Sequence, residues 1–248
     1  MTNPFDYISD YYDLLYEDKN TLSEVEYLIS LFNDYGKNIN SILEFGSGTG
    51  RHAYELAKKG FEIYGIERSK SMVESAKLTN GFKLKQGDFL TIDLSRQFDS
   101  AISLFHVFSY LVENKQIKTF LKNVKKHTKP EGIFIFDFWY SPAVLSIGAD
   151  VRVKRFNNDK LSIIRIAEPI NRINKNLIEV NYTFIIKDLE KEITKEIVEV
   201  HPMRHFSIPE LEYYFNEIGM EFVQVEEWLT KEKPSIDTWG VCAVVKNI

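Results

Sequence analysis

The sequence of 248 residues contains a single cysteine, Cys242. One cysteine cannot form an internal disulfide, and the chain has no Cys/His spacing typical of a metal site. Cys242 lies in the apolar run 241–245, which is the usual setting of a small buried hydrophobe. The sequence therefore predicts neither a disulfide-stabilised fold nor a metal centre.

Excess positive charge and long hydrophobic runs are also missing. Lys and Arg total 31 against 36 Asp and Glu, a formal net charge of −5, whereas proteins that bind nucleic acid usually carry a basic surface. No apolar stretch approaches the roughly 18 residues of a membrane span. The segment 1–13 is acidic and aromatic, unlike a signal peptide. These features predict a cytoplasmic protein, a monomer or homodimer, without nucleic acid or membrane partners.

Strand and helix patterns alternate over the first 140 residues. Short apolar runs predict strands at 41–45, 61–66, 82–86, 98–105 and 133–138. Helical spacing predicts helices at 22–35, 51–59, 71–79 and 117–127. Such alternation implies right-handed βαβ units and a parallel sheet.

The pattern changes near residue 150. Three β-like runs, joined by polar turns, predict an antiparallel meander at 161–166, 177–187 and 193–202. A helix at 209–218 and strands at 220–228 and 239–245 then complete the first domain.

We therefore predict an α/β, Rossmann-like fold with a mostly parallel seven-stranded sheet and helices on both faces. Residues 1–142 and 207–248 form this domain. Residues 143–206 form an antiparallel β insertion between the fifth strand and the last helix. The insertion is expected to cap the substrate site, to make a dimer contact, or both.

A glycine-rich segment, EFGSGTG at 44–50, lies between the first strand and the next helix. Glycine lets the backbone turn tightly and a ligand approach it, and a helix N-terminus offers unpaired N–H groups. The dinucleotide fingerprint would need a glycine where Arg51 stands. The carboxylate of Glu44 disfavours a pyrophosphate beside it, because both groups are negative. A cationic sulfonium amino acid tolerates the same carboxylate. The segment therefore favours a cationic ligand over NAD.

Acidic residues also end the next two predicted strands. Glu67 lies 21 residues after Gly46, where a carboxylate can accept both hydroxyls of a ribose. Asp88 and Phe89 follow the third strand. There Asp88 can accept a hydrogen bond from the amine of an adenine, and Phe89 can stack on the adenine ring. Because these strand ends meet at one edge of a parallel sheet, the three motifs together predict a nucleoside site.

The segments EFGSGTG, GIERS at 65–69, GDF at 87–89 and FDSAISLF at 98–105 resemble successive motifs of class I S-adenosylmethionine (SAM)-dependent methyltransferases. The resemblance covers about residues 40–140 and the two closing strands. It implies SAM as the cofactor. The cofactor-binding residues that it implies are Tyr16, Glu44, Gly46, Ser47, Gly48, Glu67, Arg68, Met72, Asp88, Phe89 and Phe105.

A narrower resemblance concerns the acceptor. YYDLLYEDK at 11–19, FWYSP at 138–142 and the β insertion resemble the deoxyaminosugar N,N-dimethyltransferases, which implies methylation of an amino group on a nucleotide-linked sugar. The chain departs from that pattern at His106 and at Asp137. Two alternatives stay open: an O-methyltransferase acting on a glycan, sugar or small metabolite, and a SAM-binding module without catalysis.

Candidate catalytic and substrate residues follow from position. His106, just past the fourth strand, can take a proton near neutral pH. Tyr16, the last tyrosine of the N-terminal motif, is expected to border the sulfonium and the acceptor. The expected substrate-binding residues are Asp137, Trp139, Tyr140, Arg204 and His205. Each also has a structural interpretation, as a hydrogen-bonded histidine, a packed aromatic ring or a solvated charge.

Overall fold

The computed structural model describes residues 7–248, so the beginning of the acidic N-terminal segment lies outside the described residues. The strands are β1 Ser41–Phe45, β2 Glu62–Glu67, β3 Phe82–Gln86, β4 Phe98–Ser103, β5 Thr128–Tyr140, β6 Arg152–Asn157, β7 Leu161–Arg172, β8 Leu177–Asp188, β9 Ile193–Phe206, β10 Met220–Glu227 and β11 Gly240–Asn247. The helices are α1 Tyr12–Leu15, α2 Thr21–Tyr35, α3 Arg51–Lys58, α4 Lys70–Ser75, α5 Asn114–His127, α6 Ser141–Ser146 and α7 Ile208–Asn216.

Seven strands form the main sheet in the order β3-β2-β1-β4-β5-β11-β10. The first five are parallel, β11 runs antiparallel to β5, and β10 runs antiparallel to β11. The predicted Rossmann-like α/β fold is confirmed. Because β1 lies at the centre of the parallel part, its carboxyl end is flanked by the ends of β2 and β4, which is where such sheets collect ligands.

Side chains alternate across each strand, so both faces of this sheet carry apolar residues. Helices cover and bury both faces. On one face Phe45, Phe134 and Phe136 pack with Phe120 of α5 and Phe215 of α7. On the other face, aliphatic residues of β1, β2, β4 and β5 pack against α2 and α3. A fully buried Phe contributes roughly 1.5–3 kcal/mol, so the two layers hold the strand ends in fixed positions.

The insertion consists of four antiparallel strands, β6 to β9. It joins the main sheet where β9 pairs in parallel with β5, Trp139 with His205 and Tyr140 with Phe206. The pairing of β4 with β5 ends at Phe136, so β9 occupies the place beside β5 that β4 leaves. All four strands lie within residues 143–206. The division of the chain into two domains stays a prediction.

Several elements differ from the prediction, among them helices α1 and α6, which were not predicted. Strand β6 was not predicted, because its exposed, charged sequence lacks the alternation that marks a half-buried strand. Helix α4 ends at Ser75 rather than Thr79: the Ser75 hydroxyl donates to the carbonyl of Ser71 and Ala76 is extended. Strand β5 spans Thr128–Tyr140 rather than 133–138, with an irregularity at Glu131, which has a φ of 63°.

Between residues 7 and 248, no helix is both long and apolar enough to cross a lipid bilayer.

Candidate active site

A cavity of about 1120 Å³ opens at the carboxyl edge of β1 to β4. Its walls come from the glycine-rich segment, the strand ends, α1, the 3-10 helix Val107–Tyr110 and the insertion strands β7 to β9. All eleven residues that the sequence assigns to the cofactor line it: Tyr16, Glu44, Gly46, Ser47, Gly48, Glu67, Arg68, Met72, Asp88, Phe89 and Phe105. The fold thus brings them together, while their contact with a cofactor stays a prediction.

Two glycines of the loop have different functions in the structure. Gly46 has a φ of +73°, and a Cβ there would lie 2.5 Å from Cγ1 of Val107. Gly46 therefore allows the 3-10 helix to pack against the loop. Gly48 has a φ of +57°, and its nearest neighbour would be Sδ of Met72 at 3.8 Å. The backbone at Gly48 is thus left open toward the cavity, as a ligand that approaches the loop requires.

Glu44 is the penultimate residue of the central strand β1 and is only 2% exposed. It accepts a hydrogen bond from the Ser47 hydroxyl. Burial raises the pKa of this carboxyl to about 8, although the Ser47 hydrogen bond and the charge of Lys19 act in the opposite direction. A buried carboxyl with a raised pKa gains most from a cation beside it, because the cation favours the ionised form. This site therefore fits a ligand that carries an ammonium or sulfonium group.

Glu67 is held by backbone N–H groups on both sides. Its Oε2 accepts from Gly48 N at 2.9 Å and its Oε1 from Ser69 N at 2.8 Å. Each oxygen of an ionised carboxylate has a second acceptor position. The two backbone bonds fix the orientation of the carboxylate, which can then accept from the two adjacent hydroxyls of a ribose.

Asp88 and Phe89 line the cavity beyond β3. Oδ1 of Asp88 accepts from Leu90 N at 2.8 Å, so the residue also stabilises its own turn. The ring of Phe89 packs edge-on against Phe120, with ring centroids 5.1 Å apart. Both side chains are therefore supported from behind, in positions suited to an adenine.

Tyr16 closes the cavity from the N-terminal side. Its ring packs edge-on against Phe105 at 5.0 Å, and Nη1 of Arg51 donates to its carbonyl oxygen at 2.5 Å. Its hydroxyl lies 3.5 Å from Nη1 of Arg165. Burial raises the pKa of Tyr16 to about 12, against the lowering effect of Arg165. Tyr16 is thus a neutral, anchored wall residue at neutral pH.

His106 does not line the cavity within the part of the chain that the structure describes, and neither do Asp137, Trp139 and Tyr140. Nδ1 of His106 lies 2.7 Å from Oδ2 of Asp137, and its backbone N–H donates to the same carboxylate at 3.1 Å. Phe105 and His106 both have a φ of 61°. These successive left-handed residues place Phe105 in the cavity wall and His106 beside Trp139 instead. The structure gives no support to His106 as the base.

Arg204 and His205 are buried, 7% and 0% exposed, and they too lie outside the described cavity wall. Arg204 donates to the Val112 carbonyl, to Asn114 and to Glu210, so its charge ties the end of β9 to α5 and α7. Nδ1 of His205 lies 2.8 Å from Oγ of Ser141. Burial lowers the pKa of His205 to about 4. Neither side chain is placed to meet an anionic substrate.

The sequence reasoning missed Tyr110, which lines the cavity from the 3-10 helix. The Tyr110 hydroxyl lies 2.6 Å from Nδ1 of His201, and Nε2 of His201 lies 2.9 Å from Oε2 of Glu199. The sequence pattern that could have indicated this cluster lies in β9, where Glu199 and His201 alternate with Val198 and Val200. Polar residues two apart share one strand face, and Ile197 and Met203 on the same face are also buried.

A sequence profile described as a methyltransferase domain matches residues 42–132. This segment carries the glycine-rich loop, Glu67 and Asp88. The protein is a SAM-dependent methyltransferase, and SAM is its cofactor.

Two methyltransferases are similar to this chain over most of its length. The chain is 26% identical over 224 residues to the dTDP-3-amino-3,4,6-trideoxy-alpha-D-glucopyranose N,N-dimethyltransferase of Streptomyces venezuelae, which covers 88% of this chain and 92% of that protein. It is 24% identical over 216 residues to the dTDP-3-amino-3,6-dideoxy-alpha-D-glucopyranose N,N-dimethyltransferase of Streptomyces fradiae, which covers 86% and 83%.

Solved structures show the same fold. A SAM-dependent methyltransferase of Clostridium acetobutylicum superposes with a TM-score of 0.80 at 19% identity, covering 98% of this chain and 99% of that one. Streptomyces venezuelae DesVI superposes with a TM-score of 0.78 at 21% identity, covering 95% and 97%. The β insertion therefore belongs to the shared architecture.

Proposed function

We propose that this enzyme methylates the amino group of a nucleotide-linked deoxyaminosugar. The observation that carries the proposal is one continuous cavity, which runs from the cofactor residues to the wall formed by the insertion. The two relatives named for dTDP-aminosugar N,N-dimethylation match 88% and 86% of this chain, well beyond the segment 42–132 that the methyltransferase profile matches.

The insertion side of the cavity suits a substrate with few hydroxyl groups. Its lining residues are Ile170, Arg172, Glu179, Asn181, Val198, Val200 and Pro202. Arg172 and Glu179 form an ion pair at 2.7 Å, so the two charges of this wall largely satisfy each other. The remaining surface is mostly apolar, as the deoxygenated face of such a sugar requires.

The residues of the chain mainly bind and orient. Glu67, Asp88 and the open backbone at Gly48 would hold the nucleoside part of SAM, and Glu44 would hold its amino acid part. When bound, SAM supplies a methyl group already activated by the sulfonium. Tyr16 and Phe105 pack edge-on at the site, where they would exclude water. Orientation of this kind supplies roughly 7–11 kcal/mol of the barrier reduction.

The decisive experiment uses methyl-labelled SAM and two matched acceptors, a dTDP-3-amino-deoxysugar and the same nucleotide sugar with a hydroxyl in place of the amine. We expect label on the amine only, with mass spectrometry showing one and then two added methyl groups. Methylation of the hydroxyl compound alone would instead favour the O-methyltransferase alternative. If neither compound is methylated by protein that binds SAM, the aminosugar proposal is wrong.

The remaining partner and location assignments stay predictions within this proposal. They are a cytoplasmic location, a monomer or homodimer, and no nucleic acid or membrane partner.

A further inference from the structure

One end of the cavity is lined by the segment that leads from α1 into α2. Lys19 and Thr21 of this segment lie in the cavity wall together with Glu44 and His52. The segment precedes residues 42–132, which the methyltransferase profile matches. It therefore adds polar side chains to the cofactor end of the cavity that the glycine-rich loop and the strand ends do not supply.

The ammonium group of Lys19 is held from two directions. Its Nζ lies 2.9 Å from Oε2 of Glu24 and 3.7 Å from the centre of the Phe105 ring. The same Oε2 of Glu24 lies 2.7 Å from Nε2 of His52, so Glu24 is itself fixed between α2 and α3. An ammonium group has three donors, and Glu24 takes one of them. The other two are available to a ligand in the cavity.

Thr21 carries a buried hydroxyl that lacks a partner. The residue is 8% exposed, and its Oγ1 has no hydrogen-bond partner among residues 7–248. A buried hydroxyl left unpaired costs free energy, so at the wall of a cavity it indicates that a ligand completes the hydrogen bond. Thr21 also begins α2, a helix of 15 residues. The N-terminal end of such a helix carries partial positive charge and favours an anion.

The two opposite charges at this end of the cavity are presented separately. Among the described residues, Lys19 forms its ion pair with Glu24 rather than with Glu44. Lys19 nevertheless acts on Glu44 through space, because its charge lowers the pKa of that carboxyl against the effect of burial. A zwitterion fits this arrangement, with its ammonium beside Glu44 and its carboxylate beside Lys19. Each charge then lies next to one of opposite sign.

We propose that Lys19 and Thr21, at the N-terminus of α2, form the binding site for the carboxylate of the cofactor's amino acid part. The ammonium of Lys19 and the hydroxyl of Thr21 both donate to this carboxylate, while Glu44 holds the neighbouring ammonium of the ligand. The site selects the complete α-amino acid end of SAM against a nucleoside that carries only an amine there. It concerns the cofactor alone, so its test needs no acceptor.

Arg51 is the alternative cation on the same side of the cavity. Its Nη1 donates to the carbonyl oxygen of Tyr16 at 2.5 Å, so this guanidinium already holds the N-terminal segment in place. Lys70 of α4 also lines the cavity, but its side chain is 74% exposed and its Nζ lies 3.4 Å from Glu74. Lys19, with a side chain only 18% exposed, is better shielded from water than Lys70 and therefore attracts an anion more strongly.

The first test compares SAM with decarboxylated SAM, which lacks only the carboxylate. Calorimetry should show that the wild type binds SAM about 10- to 100-fold more tightly, as expected when charge-assisted hydrogen bonds are lost. In Lys19→Met this preference should fall to about twofold or less, whereas Lys19→Arg, which keeps the charge, should retain most of it. Lys70→Met is the matched control and should keep the wild-type preference.

Two outcomes of this comparison would overturn the proposal. One is equal affinity of the wild type for the two compounds. The other is a preference that is lost in Arg51→Met but kept in Lys19→Met, which would assign the carboxylate to the guanidinium.

Thr21→Val separates a binding function from a structural one. Valine has nearly the same shape without the hydroxyl, so the free protein should be at least as stable as the wild type in urea, because a hydroxyl without a partner is removed. The same variant should lose about three- to tenfold in affinity for SAM and less than about twofold for decarboxylated SAM. A destabilised variant that keeps its affinity for SAM would contradict the role given to Thr21.

The phosphate of a nucleotide-linked acceptor is the other anion that this site could meet. If Lys19→Met left both cofactor affinities unchanged and raised the KM of the nucleotide sugar instead, the anion at α2 would be phosphate and the proposal would be wrong. Conversely, the expected preference for SAM in an enzyme that methylates no aminosugar would reject the proposed function alone.

Discussion

The two sides of the cavity are built in different ways. The cofactor side consists of short segments that each follow one strand, and Glu44, Glu67 and Asp88 reach the same edge because the strands are parallel. The acceptor side is assembled from α1, the 3-10 helix and the insertion, with contacts between residues far apart in sequence, such as Tyr110 and His201. Short local motifs therefore build the cofactor side, whereas packing between residues far apart in sequence builds the side proposed to bind the acceptor.

The largest effect should come from Gly46→Ala, on the cofactor side. Its Cβ would meet Val107 at 2.5 Å in a backbone with a φ of +73°. Left-handed strain of about 1–2 kcal/mol adds to overpacking of about 1–3 kcal/mol. We therefore expect a loss of about 2–5 kcal/mol in the free energy of unfolding, measured by urea denaturation.

Gly148→Ala is the matched control for that variant. Gly148 also has a positive φ, +77°, but a Cβ there would meet nothing within 4 Å. Only the conformational cost of about 1–2 kcal/mol should appear. Equal losses in the two variants would mean that the contact with Val107 is unimportant.

Next in size is Glu67→Ala, which should weaken SAM binding by about 1.5–3 kcal/mol because charge-assisted hydrogen bonds are lost. Calorimetry measures the Kd directly. Glu62→Ala, at the amino end of the same strand and paired with Arg96 at 2.8 Å, should leave the Kd unchanged. If Glu67→Ala binds SAM as the wild type does, the carboxylate serves only Gly48 and Ser69.

A smaller effect is the pH dependence of SAM binding. The pKa of Glu44 is raised to about 8, so below that pH the free protein holds a proton that a cationic ligand must displace. The affinity for SAM should therefore fall as pH decreases below 8, by at most about tenfold, or 1.4 kcal/mol, per unit.

Glu44→Gln should remove this slope, and a slope that persists would assign the proton to another group.

The linked effect on folding has the opposite sign. The folded-state pKa lies above the value of 4.5 that the same carboxyl ordinarily has. The unliganded protein should therefore lose stability through Glu44 as pH rises from that value toward 8.

The smallest effect is expected for His106→Ala. Because this side chain lies against Asp137 and Trp139 rather than in the described cavity wall, turnover should stay within about tenfold of the wild type, or 1.4 kcal/mol in the barrier. A loss of 10² or more in kcat, with unchanged SAM affinity, would show that His106 reaches the acceptor after all.

The same difference between the two sides explains what the sequence could predict. The order of strands and helices in the main sheet follows from hydrophobic periodicity, and the cofactor residues follow from glycine spacing and strand ends. The direction of His106 could not be foreseen, because it depends on two consecutive left-handed residues that have side chains and are not glycines. Arg204 reads as a surface charge in sequence, since nothing local shows that Asn114 and Glu210 will enclose it.

The parallel pairing of β9 with β5 over two residue pairs has a consequence for engineering. This pairing is the joint at which the insertion, proposed to form the acceptor side, is attached to the main sheet that carries the cofactor residues. New hairpins exchanged for β6, β7 and most of β8 would leave this joint intact, provided that the register of Trp139 with His205 is kept. Because Tyr16 packs against residues of β7 and β8, libraries of such hairpins should alter the tyrosine wall of the cavity as well as the acceptor side, while Glu44, Glu67 and Asp88 keep their positions on the main sheet.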